Sequence, residues 1–537
     1  MIEPCVGLLA APDRGGLARL LWRASRLALL LAPLVLGACA THTARPAADG
    51  VYAAAPVAQH LQRDDDIGRC ARLLRDADRA LDAAGLRDAF AARVPGFPYL
   101  RVDRISAALA PPPGPTPQFV AWSHLLAQLD QQARGFESAN AASGVAGKTA
   151  STPLAALEAC RLVLATADDN PEQRVALHAA ARVPDDYSSA LRALGLYPLT
   201  RLAFAAGVAD WQAQTVATFA LPLAQLPQDG QLLRYAPSLQ PMARLPFVQQ
   251  APHLGLPVRS EAQLRRLITR HAPLVDVDTA SGADRIGALR WEAAGDGPRV
   301  AVDVTDPSLY VRLTHTLIAG KPHLQIVYTL WFGARPAARS FDPLAGALDG
   351  LLWRVTLDAD GEALVYDSIH PCGCYHLFFA TSRVQARPAP RAGADGAPEG
   401  RFDETLFMPQ STPVDVVPRS RVLLRLAAGT HYLQRVLVVP QDGALPDARP
   451  IAYALRDDDE LRSLPQPEPP GARRSAFGPD GLVAGSERGE RFWFWPMGID
   501  SAGQMRQWGR HATAFVGRRH LDDPTLIERY FSLIGDR

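Results

Sequence analysis

The chain has 537 residues, 48% of them hydrophobic, with 56 Lys and Arg against 55 Asp and Glu for a formal charge of +1. A balance this near neutral leaves no broad basic footprint for nucleic acid, which is excluded as an expected partner. The apolar fraction and length suffice for sizeable cores in about two domains.

The first 38 residues combine Arg14, Arg19, Arg23 and Arg26 with the apolar run LALLLAPLVL and then Gly37 and Ala38 before Cys39. The run is too short to span a bilayer comfortably, and its basic flank and small residues have the form of an export signal. The segment LGAC resembles a bacterial lipobox. That resemblance implies cleavage before Cys39 and acylation of the new N-terminal cysteine. With Ala40 rather than aspartate next, it also implies sorting to the outer membrane, so the lipid anchor makes the membrane a partner and the body faces the periplasm. Residues 1–38 hold four Arg, one Glu and one Asp, so the rest of the chain sits near −1. Residues 39–60 read as a tether.

Residues 61–285 are rich in Ala, Leu and Arg at i, i+3, i+4 spacing, which predicts a mainly helical region punctuated by PPPGPTPQ and TADDNPEQ. His124 and His178 fall inside these patterns as packing or surface residues. Cys70 and Cys160 also lie on helical patterns. In an oxidising compartment they are expected to form a disulfide, the competing reading being two buried thiols.

Residues 286–537 change to alternation, predicting an antiparallel β-rich domain with C-terminal helices and an α+β fold. LYVRLTHTLIAGKPHLQIVYTLWF reads as a hairpin turning at Gly320 and Lys321, with Val311, Leu313, His315 and Leu317 sharing a face with Leu324, Ile326, Tyr328 and Leu330. LLWRVTLDADGEALVYDSIH repeats the pattern around Asp360-Gly361, a type I′ signal that puts Leu351, Trp353, Val355 and Leu357 on one face with Leu364, Tyr366, Ser368 and His370. RVLLRLAAGTHYLQRVLVV predicts a third strand pair, with His431 beside its turn as a surface residue. RVQARPAPRAGADGAPEGR at 384–402 reads as an exposed insertion. SAGQMRQWGRHATAF and DDPTLIERYFSLIGD are expected as helices, the second capped at Asp522 or Asp523.

Within YDSIHPCGCYHLFF, strand parity would place Ser368, His370, Cys372, Cys374 and His376 on one face. Burying that many polar groups requires partners. Neighbours on one face of a flat strand lie about 6.6 Å apart, too far to share one ion, but Pro371 and Gly373 suit a turn in which some of them converge. Three readings follow. The first is a metal site of His370, Cys372, Cys374 and His376, completed by His315, for zinc or copper. The second is a thiol enzyme with Cys374 as nucleophile, since CGCYH shares a Gly-Cys step with the segment of L,D-transpeptidases; that resemblance implies cell-wall chemistry, although their preceding serine and histidine and following arginine are missing. The third is structural, in a non-catalytic envelope interaction or scaffold protein. Glu487 and Glu490 are expected in a solvated loop, the alternative being a carboxylate ligand or a general base for the site. Over YDSIHPCGCYH and MRQWGRHATAFVGRRH the body resembles proteobacterial lipoproteins of no assigned activity, a likeness that implies no reaction.

Overall fold

The computed structural model describes residues 48–142, 152–295, 297–388, 403–440 and 450–535. The expected signal segment, Cys39 and most of the 384–402 insertion lie outside them.

The fold is α+β. Its centre is a ten-stranded sheet built from β1 (Gln231–Pro237), β2 (Leu274–Thr279), β3 (Ser308–Ile318), β4 (Lys321–Arg335), β5 (Gly346–Leu357), β6 (Ala363–Ile369), β7 (Leu377–Ala380), β8 (Ser420–Leu426), β9 (Leu433–Pro440) and β10 (Ile451–Asp457). The spatial order is β7-β6-β5-β4-β3-β10-β1-β2-β8-β9. The expected hairpins are antiparallel. They are joined through parallel pairings of β10 with β3 and β1, and of β8 with β2. β1 and β2 come from the region read as mainly helical, so the sheet draws strands from both sides of position 286.

The first hairpin pairs His315 with Leu324 and Val311 with Tyr328, as its alternation requires. Its turn is centred on Ala319 and Gly320, both at positive φ, one position before Gly320 and Lys321. In the second hairpin the Gly361 N–H donates to the Asp358 carbonyl and Gly361 has a φ of +84°. A four-residue turn followed by a left-handed glycine replaces the two-residue turn and introduces a bulge between Ala363 and Val365. Leu364 is thereby moved to the opposite side, against Phe378 and Ile527, while Tyr366 stays with Trp353 and Val355 in the main core.

The N-terminal part packs α1 (Asp66–Ala83), α2 (Pro117–Ala141) and α3 (Leu154–Ala167) around Trp122, Leu74 and Leu164. Asp65 caps α1 by accepting from the Gly68 N–H, and Thr116 caps α2 through the Phe119 N–H. Cys70 and Cys160 are disulfide-bonded and join α1 to α3. α4 (Tyr197–Ala220) and α5 (Glu261–His271) follow, α5 sealing the main core with Leu264 and Ile268.

The C-terminal end departs from its pattern. Residues 501–515 are irregular rather than helical, their backbone taken up by contacts such as Arg506 N–H to Pro371 and Val483 N–H to Met505. Helix Leu526–Tyr530 is only five residues long and begins after Thr525, with Asp523 accepting from the Thr525 N–H; Phe531–Leu533 then pairs with Val384–Ala386.

Candidate active site

β6 ends at Ile369, and the next residues form the expected turn. The Gly373 N–H donates to the His370 carbonyl at 2.8 Å, and the His370 N–H to the Cys374 carbonyl at 3.0 Å. Gly373 has a φ of +89°, and a Cβ there would stand 2.5 Å from the Ala512 carbonyl oxygen, so only glycine fits. Tyr375, at a φ of +64°, completes the reversal, and β7 folds back so that Leu377 lies opposite Ser368.

This reversal breaks the parity that would have put five side chains on one face. Cys372 and Cys374 enter an apolar cluster with Tyr310, Trp331, Leu348 and Met505 as free thiols. His376 Nε2 lies 2.8 Å from Asp367 Oδ2, and Arg354 holds the same carboxylate at 2.8 and 2.9 Å. His315, on β3, has Arg259 and the His323 ring as its electrostatic neighbours. The five expected zinc or copper ligands, His370, Cys372, Cys374, His376 and His315, are thus not brought together. Among the described residues, no group of three or more His, Cys, Asp or Glu is placed to hold a metal. The hydrogen bond with Cys372, and then burial, push the Cys374 thiol well above its ordinary value, an environment that keeps it protonated rather than nucleophilic.

His370 instead joins a buried acid–base chain. Its Nδ1 lies 3.2 Å from Asp349 Oδ1, and the other Asp349 oxygen lies 2.8 Å from His431 Nδ1. His431 Nε2 is 3.2 Å from Asp284 Oδ1. All four residues are buried. Phe332 stacks on the His431 ring at 3.8 Å, and the Gly429 and Ser281 N–H groups donate to Asp284. His431 is therefore at the centre of the chain, not on the surface. Leu348 and His431, like Tyr375, are non-glycine residues at positive φ, so three strained positions surround Asp349.

The environments divide the titrations. Burial would raise the Asp349 carboxyl, but His370 and His431 hold it well below the carboxylate range. Burial is likewise overcome at Asp284, brought down to about 2 by His431 and the two N–H donors. Burial opposes charge on His431, yet its two carboxylate partners raise it. At His370 burial wins over Asp349 and lowers it. These directions favour charge on Asp284, His431 and Asp349 and a neutral ring at His370. An ionised Asp349 only accepts, so the neutral His370 ring carries its proton on Nδ1 and leaves Nε2 as a base. Glu490 is buried too, and burial pushes it up to about 7 against the pull of Arg335 and Arg488. Arg335 donates from Nη2 to the Tyr432 hydroxyl at 3.2 Å.

His370 lines a small cavity of about 20 Å³, room for about one water-sized group, together with Ser368, Tyr375, Tyr432, Trp211 and Leu433. The buried Ser368 hydroxyl has no hydrogen-bond partner, and neither do Trp353 Nε1 nor the Tyr366 hydroxyl beside it. Buried polar groups are nearly always paired, and the Ser368 hydroxyl, two residues from the neutral His370 ring, is one of several buried polar atoms here without a partner. Sequence reading placed Ser368 and His370 correctly on one face. It missed Asp284 and Asp349, and it read His431 and Glu490 as solvent-exposed. Comparison with protein-family models, with curated proteins and with solved structures gives no match to this chain.

Proposed function

We propose that the protein is an envelope acyl hydrolase, held on the periplasmic side of the outer membrane by acylation of Cys39, with Ser368 as nucleophile and His370 as general base. The observation that carries this reading is the pairing, in one cavity, of an unpartnered serine hydroxyl with an imidazole whose other nitrogen is committed to a buried carboxylate. Ser368 and His370 are not hydrogen-bonded to each other, so in the proposed reaction one water in the cavity relays the Ser368 proton to His370 Nε2 as Oγ attacks an acyl carbonyl. His370 returns that proton to the leaving group, and water then cleaves the acyl-serine with the same base. Asp349 holds the tautomer, and His431 between Asp349 and Asp284 fixes Asp349 in place. Burial pushes the Tyr432 hydroxyl up, so it stays protonated and suits the role of donor to the developing oxyanion.

A fluorophosphonate probe followed by peptide mapping tests the chemistry. Ser368 should be modified in the parent protein, not in Ser368→Ala or His370→Asn, and at least tenfold more slowly in Asp349→Asn. Absence of label on Ser368 in folded parent protein would leave the chain of acids and imidazoles as a structural clamp and defeat the proposal. The anchor is tested separately: Cys39→Ala should abolish incorporation of labelled palmitate and leave an uncleaved precursor, and normal lipid labelling of that variant would refute it.

A further inference from the structure

α4 runs for 24 residues, yet Phe219 is its single fully buried side chain. One face does pack: Phe204 meets Phe494 at 5.2 Å between ring centroids, Trp211 meets Tyr375 at 5.4 Å, and Phe219 meets Phe379 at 6.0 Å. Trp211 and Thr215 line the His370 cavity, so the helix is its cover. The opposite face presents Leu199, Leu202, Ala206, Ala209, Ala213, Val216 and Ala217 to solvent, and the only acid or base along the helix are Asp210 and Arg201. An amphipathic helix ordinarily turns several charged residues outward, and this one turns out a single acid, Asp210, among apolar side chains.

The exposed apolar surface continues past the helix. Leu194 and Leu196 precede it at 58% and 62% exposure, and Leu199 is 67% exposed. The segment packed against its N-terminal half, where Gly195 abuts Pro496, carries Phe492 and Trp493, each 62% exposed, with the Arg491 guanidinium over the Phe492 ring. Leu, Phe and Trp beside arginine form the composition of a helix lying in a lipid interface. None of the described helices is long and apolar enough to cross a membrane.

We infer that the outer face of α4, together with Phe492 and Trp493, is a docking surface for a lipid bilayer. Tether length favours this occupant, and that part of the argument rests on the proposed anchor at Cys39. Eight residues lie between Cys39 and Ala48, nine backbone steps with a reach of about 31 Å at full extension. A body of this size has a radius of gyration of about 23 Å, so an acylated chain holds it against the membrane. Docked this way, the cover of the cavity lies in the interface, and the ligand class becomes membrane amphiphiles with an acyl group.

The test uses the chain from residue 40, which keeps every described residue and lacks the acylated cysteine, with flotation on vesicles of phosphatidylethanolamine and phosphatidylglycerol. The protein should float with the vesicles. Leu199→Glu with Leu202→Glu, or Phe492→Ser with Trp493→Ser, should lower the bound fraction about tenfold or more without changing the unfolding temperature. Leu162→Glu, an exposed leucine on another helix, should bind like the parent. A parent chain that stays with the soluble fraction, or α4 variants that float equally well, would overturn the inference. Concentration-dependent dimerisation abolished by the same substitutions, without vesicle binding, would instead give the face to a second copy. Labelling of Ser368 is read without vesicles, so docking and hydrolysis fail independently.

Discussion

His315 shows how a single residue sets a pH limit. Its Nδ1 is buried without a partner, and burial, followed by the positive charge of Arg259, lowers the ring to about 4. The unfolded ring titrates near 6.5, so between about pH 6.5 and 4 the unfolded chain binds the extra proton. Stability contributed by the neutral ring is therefore complete above about pH 6.5 and is lost as pH falls toward 4, to a limit of about 3 kcal/mol. His315→Leu should shrink the stability difference between pH 7 and pH 4.5 by roughly 2 kcal/mol in urea unfolding. An unchanged difference would place the acid sensitivity elsewhere. Asp284 loses its contribution lower down, as pH falls through about 4 toward its folded value of about 2.

At the level of elements, α1 and α3 show how strongly a covalent link constrains a short-helix region. The Cys70–Cys160 bridge spans a sequence separation of 90. In the chain-entropy account, closing a loop of that length stabilises by about 4–5 kcal/mol. Reduction, or Cys70→Ala with Cys160→Ala, should lower the unfolding free energy by roughly 3–4 kcal/mol, since the buried sites repack in part. Because Cys372 and Cys374 are already free thiols, the effect of reductant belongs to this bridge. The second β-hairpin shows the converse: one bulge residue beyond a correctly located turn relocates Leu364 from one core to another without disturbing Ser368 or His370.

Across the whole molecule, the helical part and the sheet are fastened by buried charge. Arg462, fully buried, donates to Asp88 at 2.8 and 3.0 Å and to Asp459 at 3.0 Å, with Phe90 and Phe136 flanking its guanidinium. Arg462→Ala would leave two carboxylates in a low-dielectric interior with their main counter-ion gone, at a cost of about 3–5 kcal/mol. Arg462→Lys should recover only part of that, because an ammonium cannot reproduce the bidentate geometry. Chemical denaturation of the three proteins checks the order, and an alanine variant as stable as the parent would show that the contact contributes nothing to cohesion.

The sequence by itself determined the α+β class, the strand pairs, the turn at His370–Cys374 and the two cysteines that bond. Each of these depends on patterns within a strand pair or a helix, where periodicities of 2 and 3.6 residues and the conformational demands of glycine and proline act over neighbouring positions. The tertiary structure alone decided that His370 meets Asp349, that His431 joins Asp349 to Asp284, and that α4 covers the cavity they border. His431 is 82 residues from Asp349 and 147 from Asp284, and no local period links residues so far apart. Their meeting depends on the sheet curling so that its β8–β9 end comes back to β5, and on loop residues held at positive φ, which is the reason a histidine beside a turn signal reads as surface and becomes the most enclosed member of the site.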